Sequence, residues 1–121
     1  MSERYYSEAH IWVNGEEGIL TFGITDHAQE KLGDVMFVNL PDAGDTVEAG
    51  KRFGDIESIK TVSDLIAPAS GEVTEVNTAL EDEPELLNED PYSNWLIRIK
   101  ADGLPGGLMS EEEYLSRKDE L

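Results

Sequence analysis

Short alternations of apolar and polar residues organise this chain, with no long apolar run, and they predict brief strands punctuated by proline and glycine. Residues 10–13 read as a strand entering an Asn14-Gly15 turn, and residues 18–24 return with Ile19, Thr21 and Gly23 set against Leu20, Phe22 and Ile24, which predicts a hairpin. Asp26 is placed to cap a short helix, with Gln29 at the capping-box position, Ala28 and Leu32 sharing a face and Gly33 as the stop. From Val35 the pattern is β again, over 35–40, Thr46-Val47, 52–57 and 72–76. Residues 81–85 read as an acidic loop, followed by Leu86-Leu87-Asn88 and Pro91-Tyr92. Residues 95–99 predict a last strand with Trp95, Ile97 and Ile99 on one face, broken by Gly103-Leu104-Pro105-Gly106-Gly107. Ser110 and Glu113 form a second capping box for a C-terminal helix over 111–117, acidic at its start and closed by Arg117-Lys118, as the helix dipole favours. The expectation is a mainly β fold with helical flanks, built as one domain over residues 1–121.

A Pro-x-x-Gly-acid unit occurs twice, as Pro41-Asp42-Ala43-Gly44-Asp45 and, 27 residues on, as Pro68-Ala69-Ser70-Gly71-Glu72. The apolar positions ahead of it stay in step, Val35 with Val62 and Val38 with Leu65. Proline fixes φ and glycine supplies a positive φ, so each unit predicts a tight turn. The repeat predicts two similar sheets related by a pseudo-twofold, joined by a hairpin centred near Ser58-Ile59-Lys60-Thr61 with Lys60 at its exposed tip.

Composition narrows the chemistry. At 121 residues, 39% hydrophobic and 30% charged, the chain has the balance of one globular domain. Its 27 acidic and 9 basic residues give a net charge of -18, which repels nucleic acid and anionic membranes and suits basic partner surfaces. No apolar run approaches the ~20 residues that span a bilayer, and the first six residues lack the apolar stretch of a secretory signal, so a cytoplasmic protein is expected. The absence of cysteine excludes disulfides, thiolate metal sites and cysteine nucleophiles, and any redox chemistry must come from an attached group. His10 and His27 have no ligand spacing, serine elbows and phosphate loops are absent, and 81–85 lacks the alternation of a calcium loop, so no metal and no catalytic residue is expected. Lys118-Asp119-Glu120-Leu121 spells an ER-retention signal, which without a signal peptide reads only as a charged helix end.

What remains is the segment Gly54-Asp55-Ile56-Glu57-Ser58-Ile59-Lys60-Thr61-Val62-Ser63-Asp64-Leu65-Ile66-Ala67-Pro68. It resembles the lipoyl-attachment hairpin of the H-protein family of the glycine cleavage system. Further stretches look like that family in the same order: Gly23-Ile24-Thr25-Asp26-His27-Ala28-Gln29, Leu32-Gly33-Asp34, Val38-Asn39-Leu40-Pro41, Gly71-Glu72-Val73 and Asn88-Glu89-Asp90-Pro91-Tyr92. The resemblance covers nearly the whole chain. It implies a barrel-sandwich hybrid fold, lipoate amide-linked to Lys60, and a ligase or transferase that recognises the hairpin. Glu57, Gly44 and Gly71 would help present it, and Asp64 would contact the cargo. A lysine amine is mostly protonated at neutral pH, so activation belongs to the acyl donor and the hairpin's task is presentation. The implied function is a monomeric, non-catalytic carrier whose tethered arm serves successive active sites at raised effective concentration. Those sites belong to glycine decarboxylase, a tetrahydrofolate-dependent aminomethyltransferase and dihydrolipoamide dehydrogenase.

The family commonly reads Ser-His-Glu-Trp near its N-terminus, its glutamate holding the loaded amine, where this chain reads Ala9-His10-Ile11-Trp12. Isoleucine cannot pair with an ammonium, which raises an alternative: a specialised H-like lipoyl carrier for lipoate relay or another redox pathway. A biotinyl carrier would flank its lysine with methionine, and Ile59 and Thr61 argue against it. An unmodified interaction domain is the remaining alternative.

Overall fold

The computed structural model describes residues 4–101 and 106–121. Nine strands and four helices run in the order β1 (Arg4–Tyr6), β2 (Ile11–Glu16), β3 (Ile19–Ile24), α1 (Asp26–Leu32), β4 (Val35–Asn39), β5 (Thr46–Val47), β6 (Arg52–Ser58), β7 (Val62–Ile66), β8 (Gly71–Val76), α2 (Ala79–Asp82), α3 (Leu86–Glu89), β9 (Ile97–Lys100) and α4 (Glu111–Arg117). A 3-10 turn over Lys118–Glu120 follows. The strands form a six-stranded sheet in the order β1-β2-β3-β9-β8-β5 and a three-stranded sheet in the order β4-β6-β7. Between them lies a core that includes Val13, Phe22, Ile24, Ile56, Leu65, Ile97 and Ile99, all buried. The Phe22 and Phe53 rings meet at 6.0 Å and stitch β3 to β6.

The first hairpin turns later than its Asn14-Gly15 signal. Those two residues pair with Thr21 and Leu20 inside the ladder, and the turn is Glu17-Gly18, both at positive φ (49° and 81°), as a two-residue hairpin turn requires. Register is set by packing: Trp12 faces Gly23, and a Cβ there would run into the indole. His10 stands outside the strand, with φ at 63°. The cap of α1 is Thr25 and not Asp26: the Thr25 hydroxyl accepts from the Ala28 N–H at 3.2 Å, and Asp26 accepts instead from the Gln29 side chain at 2.9 Å. Gly33 stops the helix at φ 74°, and Ser110 caps α4 by accepting from the Glu113 N–H, both where the sequence put them.

The predicted acidic loop over 81–85 is shorter than expected, since Glu81 and Asp82 belong to a helical turn and only residues 83–85 connect it to the next. These are the single turns α2 and α3, whose Leu80 and Leu87 are fully buried while the acids face water. The last strand begins at Ile97, two residues later than predicted, where its pairing with Phe22 and Val76 starts, and the Trp95 ring packs under the Arg98 guanidinium at 4.2 Å. Gly103, Leu104 and Pro105 lie outside the described residues.

The sequence repeat survives in altered form. Val35 and Val62 open β4 and β7, the two outer strands flanking β6, and the two Gly-acid units lie side by side. The Gly44 N–H donates to the Val73 carbonyl and the Val73 N–H to the Asp45 carbonyl, both at 2.8 Å. The sheets are nevertheless unequal, since β1, β2 and β3 all extend one of them, and the Lys60 hairpin lies within the smaller sheet and does not bridge the two. Gly44 uses its positive φ of 98°. Gly71 does not; it is small because the Lys100 carbonyl passes where a Cβ would sit.

Candidate functional site: the Lys60 hairpin and its cleft

Strands β6 and β7 pair down to Glu57 and Val62, leaving Ser58 to Thr61 to turn the chain. Ser58 closes that turn almost alone. Its N–H donates to the Thr61 carbonyl at 2.8 Å, and its hydroxyl oxygen accepts from the Lys60 and Thr61 N–H groups at 3.3 and 3.2 Å. The tip is also held from outside, because the Ile59 N–H donates to the Asp34 carbonyl at 3.0 Å. A turn whose backbone donors are satisfied this way has little freedom to flex. Lys60 is exposed at its apex, and among the described residues no carboxylate lies within ion-pair distance of its ammonium.

The loop that holds Ile59 is itself clamped by Asn88. The Asn88 side-chain amide donates to the Gly33 carbonyl at 2.8 Å and to Gln29 at 3.1 Å, while its side-chain oxygen accepts from the Val35 N–H at 2.9 Å. Gly33 also borders the lysine stem: a Cβ there would stand 3.1 Å from Lys60 Cε. In the sequence Asn88 stands out only as part of a family-like stretch. Its position on α3, far along the chain from the loop it fastens, carries no local signal.

Beside the tip a cleft of about 320 Å³ opens between α1, residues 9–11 and β7. Its floor is apolar, from Ile11, Ile24, Leu32 and Leu65, and its wall carries His10, His27, Lys31, Ser63 and Asp64. His10 and His27 stack at 4.8 Å between ring centroids. His10 Nδ1 lies 2.6 Å from the Tyr114 hydroxyl, which lies 2.8 Å from the Thr25 hydroxyl. Burial, and then the neighbouring His27, hold the His10 imidazole below its ordinary value, so it is neutral near pH 7. Burial raises the Tyr114 hydroxyl, which stays protonated. Ile11 is itself a core residue with 1% exposure, closing the cleft floor with hydrocarbon.

The sequence-derived residues fall into two groups. Lys60, Glu57 and Asp64 share the hairpin, with Glu57 half-buried and opposite both Phe37 on β4 and Val62 on β7. Asp64 lines the cleft, yet its carboxylate already accepts from Arg52 Nε at 3.1 Å. Arg52 also pairs with Asp55, whose carboxyl is held below the usual range by the Asn39 amide first and by Arg52 after it. Gly44 and Gly71 are elsewhere, at the β5–β8 pairing beyond the far end of β7 from the tip.

A flattened two-sheet fold that exposes one anchored lysine on a rigid hairpin defines the class of carrier domains with a barrel-sandwich, lipoyl-type architecture. A sequence model described as glycine cleavage H-protein matches residues 4–120. The chain is 56% identical over 116 residues to the glycine cleavage system H protein of Rubrobacter xylanophilus, covering 95% of this chain and 91% of that one. It is 50% identical over 115 residues to the probable H protein of Natronomonas pharaonis, covering 93% and 91%. A crystal structure of the H protein from Mycobacterium marinum superposes with a TM-score of 0.89 at 43% identity, covering 97% of both chains. The chain belongs to the glycine cleavage H-protein family.

Proposed function

We propose that this chain is the lipoyl carrier of the glycine cleavage system, with lipoate amide-linked to Lys60 Nζ. The observation that carries the proposal is the anchored tip: an exposed, unpaired lysine on a turn fixed by Ser58 from within and by Asp34 from outside. The residues present fit the group, since Gly33 leaves the lysine stem unobstructed and the adjoining cleft offers an apolar floor with polar walls. When bound, the dithiolane supplies disulfide redox chemistry and a thiol on which a one-carbon amine is carried.

This chain's own residues then present and shelter the arm. Amide formation removes the Lys60 charge, and the rigid turn fixes the point from which the arm swings, raising its effective concentration at each docked active site. Neutral His10 and the hydrocarbon of Ile11 form the uncharged part of the cleft, whose wall also carries Lys31 and Asp64. Asp64 is the acid positioned to meet a cationic cargo, and it does so in competition with Arg52. Glu57 supports presentation directly from the hairpin, and Gly71 only remotely, from the β5–β8 pairing in the other sheet. The partners are glycine decarboxylase, the aminomethyltransferase, dihydrolipoamide dehydrogenase and the ligase or transferase that loads Lys60. The relay alternative rested on Ile11 and has no further support, because Ile11 is accounted for as core.

Intact-mass and peptide mass spectrometry of protein from its native host tests the proposal. A lipoyl increment confined to the Lys60 peptide and absent in Lys60→Ala is expected. An unmodified Lys60 in lipoate-replete cells overturns it.

A further inference from the structure

Among the described residues five large hydrophobic side chains are exposed, and four of them surround the lysine tip: Met36 (50%), Phe37 (61%), Ile59 (70%) and Val62 (60%). The pairing shows why they form one surface. Phe37 stands opposite Glu57 and Glu57 opposite Val62, so the three line up across β4, β6 and β7 on one face of the small sheet. That face turns away from the core, which Val35, Val38, Ile56 and Leu65 fill from the other side. Ile59 continues the surface onto the turn, where the bond from its N–H to the Asp34 carbonyl fixes its backbone. An exposed apolar patch beside a functional group, interrupted by Glu57 and left uncovered by the chain's own helices, marks a docking surface.

We infer that this face, Met36, Phe37, Ile59 and Val62 beside Lys60, is where the enzyme that attaches lipoate docks, through an apolar groove rimmed by basic side chains. The inference rests on Lys60 being the attachment point. Reach identifies the occupant. To acylate Nζ an enzyme must bring its reacting carbon to bonding distance of a side chain only four methylenes long, and so must bury the turn and the strands on either side of it. An enzyme that works on the far end of a loaded arm has no such need. Charge sets the rim: Glu57 sits in the middle of the row with no basic partner among the described residues and Asp34 lies beside the turn, on a chain of net charge -18, whereas Asp55 and Asp64 are already paired with Arg52. The apolar row supplies affinity, and the acids steer and orient the encounter.

The test is the rate of lipoylation of the purified full chain by a bacterial lipoate ligase given lipoate and ATP, followed by intact mass. Phe37→Ser and Val62→Ser are expected to lower kcat/KM at least about tenfold, mainly through KM. Phe37→Leu should restore most of the rate, and Leu115→Ser, at the exposed hydrophobic position on α4 outside the β4-β6-β7 sheet, should leave it unchanged. After exhaustive loading, the same variants should be reduced by dihydrolipoamide dehydrogenase with NADH, which is oxidised to NAD+ as the dithiolane becomes a dithiol, at the wild-type rate. Wild-type lipoylation of both serine variants, or an equal slowing of their reduction once loaded, overturns the inference. A wild-type chain that gains no lipoyl mass at Lys60 overturns the attachment proposal itself, and this surface with it.

Discussion

Asn88 holds three backbone and side-chain groups with one amide, and the loop it fastens holds the turn that carries Lys60. Asn88→Ala is therefore expected to cost about 2 kcal/mol in urea unfolding, since it orphans the Val35 N–H and the Gly33 carbonyl in a half-buried setting. It should also slow modification of Lys60 more than that loss of stability explains; a variant lipoylated at the wild-type rate would show that the tip is rigid without it. His10 makes a second prediction at this scale. Its folded value lies below the 6.5 of the free side chain, through burial and then His27, so below that pH the unfolded chain takes up a proton the folded chain resists. Stability that is present above pH 6.5 is lost as the pH falls beneath it. The stability difference between wild type and His10→Gln should shrink between about pH 7.5 and about pH 5.5, whereas a constant offset would mean His10 does not titrate in this range. Both residues were visible in the sequence, His10 as an unassigned histidine and Asn88 as part of a familiar stretch. Neither role was, because Tyr114 and Gly33 reach them only through folding.

Elements were legible where a local rule decides them and illegible where packing does. Gly33 and Ser110 end and begin their helices as sequence rules require, because φ and a cap hydrogen bond depend on a few consecutive residues. The Glu17-Gly18 turn was missed in favour of Asn14-Gly15, since Asn-Gly is the stronger local signal and Glu17 takes its uncommon positive φ only because the register is fixed by Trp12 lying over Gly23 across the ladder. The single turns α2 and α3 were missed because four residues are too few to show a period. They are nonetheless anchored in the core. Leu80→Ala and Leu87→Ala should each cost about 2–4 kcal/mol in thermal or urea unfolding. The Leu87 variant alone should also slow Lys60 modification, since Leu87 seats the helix that carries Asn88. Equal effects of the two on modification would place the clamp elsewhere.

At the scale of the molecule, the repeat predicted two similar sheets and the structure has unequal ones, with the two Gly-acid units lying side by side, because pairing between residues far apart is decided by packing and not by either segment alone. Net charge was plain from the start, and its consequence is self-repulsion spread over a small surface. Raising salt from about 0.05 to about 0.5 M should raise the thermal midpoint by a few degrees as repulsion is screened, and should weaken association with basic partners over the same range. A midpoint indifferent to salt would mean that the acids are spaced too widely to interact. Across the molecule the two ends are tied together: β1 reaches Met109 through Tyr6, whose N–H donates to the Met109 carbonyl at 2.9 Å, and the Tyr6 ring stacks on Tyr114 of α4 at 4.7 Å.

The clamp also orders events in time. A chain is made from its N-terminus, so the hairpin with Lys60 is synthesised and emerges ahead of Asn88, and β6 and β7 can pair while the loop beneath them is still unfastened. The tip is thus an early-made segment whose seat is late-made. Its finished geometry reports that at least the first 88 residues have been synthesised and have closed on one another.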